Sequence, residues 1–133
     1  MKNYQIIKTN MCMIVDGHGR MLVLNRAKSD WPGLTFPGGH LEEDETLLES
    51  VIREVKEETG LKITSPYYRG HILWINDKKK ICEIAYLFLA DQYEGEIISS
   101  VEGEAFFVDT NNYQQYALST DFEKVVTLIK SKD

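Results

Sequence analysis

The chain has little of several things. It holds only two cysteines and three prolines in 133 residues, and no apolar run approaches 18 residues. A membrane-spanning helix is therefore not expected. Cys12 and Cys82 each stand alone inside an apolar run, with no metal-binding spacing. Both thiols are expected to be reduced and buried, as suits a cytoplasmic protein without a membrane partner. The start, Met1-Lys2-Asn3-Tyr4-Gln5, lacks the apolar core of a signal peptide. There is no stripe of lysine and arginine, which argues against a nucleic-acid polymer as partner. No internal repeat or low-complexity segment is present.

What remains is an ordinary globular composition, 43% hydrophobic and 27% charged. The length fits one domain over 1–133 with a real core. The net charge of −6 is concentrated: residues 39–61 hold eight acids against Arg53 and Lys56, while the rest of the chain balances to zero. Such an acidic element repels a phosphate compound unless a cation inverts the local field.

The acidic stretch reads as a helix with signals at both ends. Thr46 and Glu49 make a capping box, Asp44 and Glu45 suit the positive end of the helix dipole, and Gly60 sits where a glycine ends a helix. Leu47, Leu48, Val51, Ile52 and Val55 form the side expected to pack on a sheet. Glu54, Glu57 and Glu58 stand at i, i+3 and i+4 on one flank, where like charges destabilise a helix by about 0.2–0.5 kcal/mol per pair. A solvated acidic face is one reading. Three oxygen ligands for a hard cation such as Mg²⁺ or Mn²⁺ is the other. The glycine-rich turn ahead, Pro37-Gly38-Gly39, favours the second.

Residues 39–61 match G-x5-E-x7-R-E-U-x-E-E-x-G-U at Gly39, Glu45, Arg53, Glu54, Val55, Glu57, Glu58, Gly60 and Leu61. This resembles the box of the Nudix hydrolases, and the lead-in Phe36-Pro37-Gly38-Gly39 is most similar to the MutT-like branch. The resemblance implies an α/β fold, an α/β/α sandwich on a mixed sheet. It implies Mg²⁺-dependent hydrolysis of a nucleoside triphosphate or related diphosphate compound to a nucleoside monophosphate and pyrophosphate. Among MutT-like enzymes the expected substrate is an oxidised nucleotide such as 8-oxo-dGTP. Another nucleoside diphosphate-linked substrate, or a module that senses a nucleotide without cleaving it, are the alternatives. The partner is a small nucleotide, and the chain is a monomer or homodimer.

By the same resemblance, Glu57 and Glu58 are principal metal ligands, Glu54 is a ligand or the general base, and Gly38 supplies a carbonyl ligand. Arg53 orients the carboxylates, with Glu45 as its ionic contact. An additional carboxylate comes from a later loop, with Glu102 the first candidate and Glu104 the second. Arg26 is placed on substrate phosphate. Thr35, Phe36, Pro37 and Gly38 line the nucleotide pocket. Asp121 stands where relatives carry a base-reading amide.

The remaining elements follow from periodicity. Thr9–Val15 and Met21–Asn25 read as a hairpin about Asp16-Gly17-His18-Gly19, and Leu34–Phe36 as a short strand. Ile63–Ile75 and Ile81–Ala90 read as extended segments forming a second hairpin, and Ala105–Asp109 as another strand. Among Tyr68, Trp74, Tyr86 and Phe88, some are core and one or two stack on a base. His18 and His71 read as structural, Trp31 as a core lid, and Arg69 as a surface charge or a phosphate contact. Thr120 and Glu123 read as a second capping box opening a final amphipathic helix through Phe122, Val125, Val126 and Ile129.

Overall fold

The computed structural model describes residues 3–26, 32–100 and 103–131. In chain order the elements are β1 (Gln5–Val15), β2 (Arg20–Arg26), β3 (Gly33–Thr35), β4 (Gly38–His40), α1 (Leu47–Thr59), β5 (Lys62–Ile63), β6 (Tyr67–Asn76), β7 (Ile81–Ala90), β8 (Tyr93–Glu94), β9 (Glu104–Asp109) and α2 (Phe122–Lys130). The main sheet has seven strands, ordered β3-β2-β1-β7-β6, with β4 pairing β1 and β9 pairing β2. It is mixed, because β1 and β7 run parallel from Gln5 opposite Ile81 to Ile14 opposite Ala90, while every other pairing is antiparallel.

That parallel ladder explains why β1 starts four residues before the apolar run does. The stretch Gln5–Lys8, exposed at Gln5, Ile6 and Lys8, is held by backbone bonding to β7 rather than by burial of its side chains. The opposite edge of β1 forks. Ile14 and Val15 pair with β2, while Thr9–Met11 pair with β4. The fork wedges β4 between diverging strands and fixes the ground on which the site is built.

Each face of the sheet carries one helix. On one side Val51 and Val55 of α1 pack with Cys12, Ile14, Leu22, Leu24 and Phe88. On the other, Phe122, Val125, Val126 and Ile129 of α2 pack with Met13, Met21, Leu34, Phe36 and Leu87. Each fully buried aliphatic side chain stabilises by about 1.5–3 kcal/mol, and the two layers together make the α/β/α sandwich. Phe36 stacks on Phe122 with ring centroids 4.8 Å apart. Cys12 and Cys82 are both free and buried. No helix among the described residues is long and apolar enough to cross a membrane.

Several local expectations are corrected. The capping box at Thr46 and Glu49 is formed in both directions, and Gly60 closes α1 in the left-handed region at φ 83°. At α2, however, Thr120 does not cap. Asp121 takes that place with φ 63° and makes no capping bond, because its carboxylate is turned to the Trp74 indole instead. Leu48 is 46% exposed rather than packed on the sheet. Gly38 and Gly39 form a strand, not a tight turn. Their need is for space, since a Cβ at Gly38 would fall 1.9 Å from the Asn10 carbonyl oxygen. Arg69 is not a loose surface charge: its Nε donates to the Ile129 carbonyl, 2.8 Å away, near the end of α2.

Candidate active site

Arg53 is the hub of the acidic flank. Its Nε and Nη2 form a fork on Glu45 at 2.5 and 3.0 Å, its Nη1 donates to Glu57 Oε1 at 3.1 Å, and Nη2 also reaches the His40 carbonyl at 3.2 Å. Glu54 Oε2 lies 3.4 Å from Nη1 and Glu42 Oε2 3.7 Å from Nη2. One guanidinium thus ties α1 to the loop before it and to β4, with the bidentate geometry that makes such pairs specific. The fork on Arg53 holds the Glu45 carboxyl down to about 2, and the same contact pushes Arg53 above its ordinary range.

The ridge carboxylates stand in three environments. Glu57 is exposed. Glu58 is only 8% exposed and accepts the Gly38 N–H at 3.0 Å. Glu54 lies against Gly39, so that a Cβ there would fall 2.3 Å from its Oε2. Burial raises the Glu54 carboxyl above its ordinary value; Arg53 opposes this and Glu57 adds to it. A buried asparagine completes the frame, as Asn10 Nδ2 donates to Ser50 Oγ at 2.7 Å and ties β1 to α1.

These groups open into a cleft of about 430 Å³ lined by Arg26, Gly38–His40, Glu42, Glu54, Glu57, Glu58 and Ser100. Beyond β4 lies a narrower slot of about 130 Å³, with Met11, Phe36 and Trp74 as apolar walls and Thr9, Thr35 and Glu83 as polar ones. Arg26 and Gly38–His40 line both spaces.

The donor set fits a hard cation. Glu54, Glu57 and Glu58 supply carboxylates, the missing Cβ of Gly39 leaves room for one of them, and Arg53 faces Glu42, Glu45, Glu54 and Glu57. Their present rotamers serve Arg53 and Gly38. Among the described residues no three His, Cys, Asp or Glu side chains already stand as a ligand group.

The expected site residues sort plainly. Arg26, Gly38, Glu54, Glu57 and Glu58 meet in the cleft, and Thr35 and Phe36 in the slot. Pro37 lines neither; it is buried and its carbonyl accepts the Cys12 N–H. Asp121 reaches the slot only through Trp74, whose Nε1 donates to its Oδ2 at 2.7 Å. Glu104 is exposed on β9 and does not line the cleft, whereas Ser100 does. Glu102 and Trp31 lie outside the described residues. Of the aromatics, Phe88 is core, Trp74 faces the slot, and Tyr68 is 53% exposed and hydrogen-bonded to His71. Thr9 and Glu83 carried no sequence signal; alternation along β1 and β7 puts both on the slot's face, but only pairing shows that they meet.

The NUDIX domain family pattern matches residues 7–127. An uncharacterized Nudix hydrolase, YvcI of Bacillus subtilis, is 34% identical over 104 residues, which are 75% of this chain and 65% of that protein. The ADP-ribose pyrophosphatase of Methanocaldococcus jannaschii is 32% identical over 85% of this chain and 67% of its own length. The 8-oxo-dGTP diphosphatase of Buchnera aphidicola is 34% identical over 81% of this chain and 76% of its own. The chain thus spans about two thirds of the first two relatives. In fold, a MutT NUDIX hydrolase from Burkholderia pseudomallei superposes with a TM-score of 0.83 over 95% of this chain and 99% of that one, at 21% identity. With the ridge, the glycine strand and the sandwich all in place, the chain belongs to the NUDIX domain family.

Proposed function

We propose that the chain is a Nudix hydrolase that splits a nucleoside triphosphate or related nucleoside diphosphate compound at a phosphoanhydride, releasing a nucleoside monophosphate and pyrophosphate from a triphosphate. The observation that carries this reading is the Arg53-tethered row of carboxylates against Gly38 and Gly39, in a cleft continuous with an aromatic slot. Glu57, Glu58 and the Gly38 carbonyl would hold Mg²⁺ or Mn²⁺, with Glu54 beside them as a further ligand or as the base. When bound, the cation supplies charge neutralisation and Lewis acidity at the pyrophosphate linkage.

The chain's own residues do the rest. Arg53 holds Glu54 and Glu57 in register with β4, a positioning role. Arg26, at the junction of cleft and slot, contacts the phosphate next to the nucleoside. Glu54, placed against Gly39, is the carboxylate that takes the proton of the attacking water where it is not itself a ligand. Water adds across one P–O–P linkage, with its oxygen on one phosphorus and its protons shared between Glu54 and the leaving phosphate. Thr35 and Phe36 seat the nucleoside.

An oxidised purine triphosphate such as 8-oxo-dGTP is the substrate we favour, because the Phe36-Pro37-Gly38-Gly39 lead-in is MutT-like and one relative is named for that activity. ADP-ribose is the second reading, since another relative is named for it. Product analysis with dNTPs, 8-oxo-dGTP and ADP-ribose in Mg²⁺ tests the choice. Preferred release of pyrophosphate from 8-oxo-dGTP is expected. Comparable turnover of all dNTPs removes the housecleaning role, and turnover of none removes the hydrolase reading in favour of a sensing module.

A further inference from the structure

The slot has a chemical sense of its own. Thr9, Glu83 and Trp74 come from adjacent strands β1, β7 and β6, and register sets all three on the face that carries α2. The Thr9 hydroxyl donates to Glu83 Oε2 at 2.8 Å, and the Trp74 indole N–H donates to Asp121 Oδ2 at 2.7 Å. Both side-chain donors are therefore spent on carboxylates. Glu83 Oε1 receives no hydrogen bond from any described residue and stands, partly buried, in a slot walled by Met11, Phe36 and Trp74. A carboxylate oxygen beside apolar walls favours a ligand that brings N–H or O–H groups to it in place of water.

We propose that Glu83, aimed by Thr9, is the specificity-determining acceptor of the slot, selecting nucleotides whose base presents adjacent N–H donors. Among the common bases the lactam–amidine edge of guanine has this pattern, with a ring N–H beside an amino group. Hypoxanthine keeps the ring N–H and loses the amino group. Adenine sets a ring acceptor beside its amino group, and thymine flanks its one N–H with two carbonyls that meet the carboxylate as like poles. The order of affinity is therefore guanine, hypoxanthine, adenine, thymine. The inference rests on the nucleotide reading of the cleft but concerns the base alone.

Calorimetric titration with deoxynucleoside monophosphates, which have no phosphoanhydride to cleave, isolates this slot from catalysis. The wild-type protein is expected to bind dGMP about ten- to a hundredfold more tightly than dIMP, the span of one charge-assisted hydrogen bond left unmade. Glu83→Gln keeps the shape and loses the charge, and it should bring that ratio close to one. Thr9→Val keeps the carboxylate and removes its anchor, and it should give an intermediate ratio. A merely structural role for Glu83 would weaken both ligands alike and leave their ratio in place. An unchanged ratio in folded Glu83→Gln, or no preference for dGMP in the wild type, overturns the proposal. If the ratio behaves as expected and no triphosphate is cleaved, the hydrolase reading fails alone; cleavage with an indifferent ratio overturns Glu83 alone.

Discussion

The cleft and the slot share a wall and are made in opposite ways. All but two of the residues lining the cleft lie between positions 38 and 58, on one strand, one helix and the loop between them, and most are held by Arg53. The slot draws on β1, β2, β3 with Phe36 just after it, β4, β6 and β7, with Asp121 at the start of α2 reached through Trp74, and is held by packing and strand register. A charged centre built locally keeps its geometry as long as one helix and one strand stay docked. A recognition surface built from distant strands depends on the whole sheet. Hydrolysis and choice of substrate should therefore break separately.

The largest expected effect lies in the cleft. Glu57→Gln should lower turnover by about 10²–10⁴-fold, the contribution of one charged group at a reacting centre, in a steady-state assay of pyrophosphate release. Binding of a nucleoside monophosphate in the slot should persist; its loss in parallel would show the two regions to be one. Next comes the slot's floor. Phe36→Ala removes the ring stacked on Phe122 and should cost about 3–5 kcal/mol of stability by urea unfolding. A normal midpoint would mean that Phe36 serves the ligand and not the core.

A smaller effect should come from Gly39→Ala. Its Cβ would overlap Glu54 Oε2, so the carboxylate must shift by about 1 Å, a displacement that can cost about a hundredfold in turnover. Stability should change far less than in Phe36→Ala, and wild-type turnover would detach Glu54 from the chemistry.

The smallest effect is in pH. Glu45 has a folded pKa of about 2 against an ordinary 4.5, so it is charged in both states above 4.5 and its stabilisation is then complete. As pH falls from 4.5 toward 2 the unfolded chain takes up the proton first, and that stabilisation is lost. Glu54 has the opposite sign: its raised pKa favours the folded state below the ordinary value, and the benefit fades as pH rises through the folded one. Thermal melts from pH 2 to 7 should show a shallower acid loss in Glu45→Gln than in the wild type. Parallel curves would dismiss the Arg53 fork as the cause.

The same contrast explains what the sequence made legible. Helix α1 was readable because its caps, its apolar side and its carboxylates all lie within one helix's reach in sequence. The two-helix sandwich and the Glu45–Arg53 pairing were legible only through the resemblance of the box, not through any local pattern. Thr9 and Glu83 are 74 residues apart, and nothing local marks either, since each occupies an ordinary position in a strand. The fork of β1 was hidden because strand partners are chosen by the whole sheet. The second helix misled because Thr120 and Glu123 have the spacing of a cap, but the Trp74 indole draws Asp121 into the left-handed region and shifts the start of the helix.

The three residues of β4 separate the two spaces, and three extended residues measure about 10 Å. That strand is a ruler. If the slot takes a ring and the cleft its phosphates, the spacing across β4 sets how far the breakable anhydride can stand from that ring. Insertions that lengthen β4 would reset which linkage is cut before altering which ring is accepted.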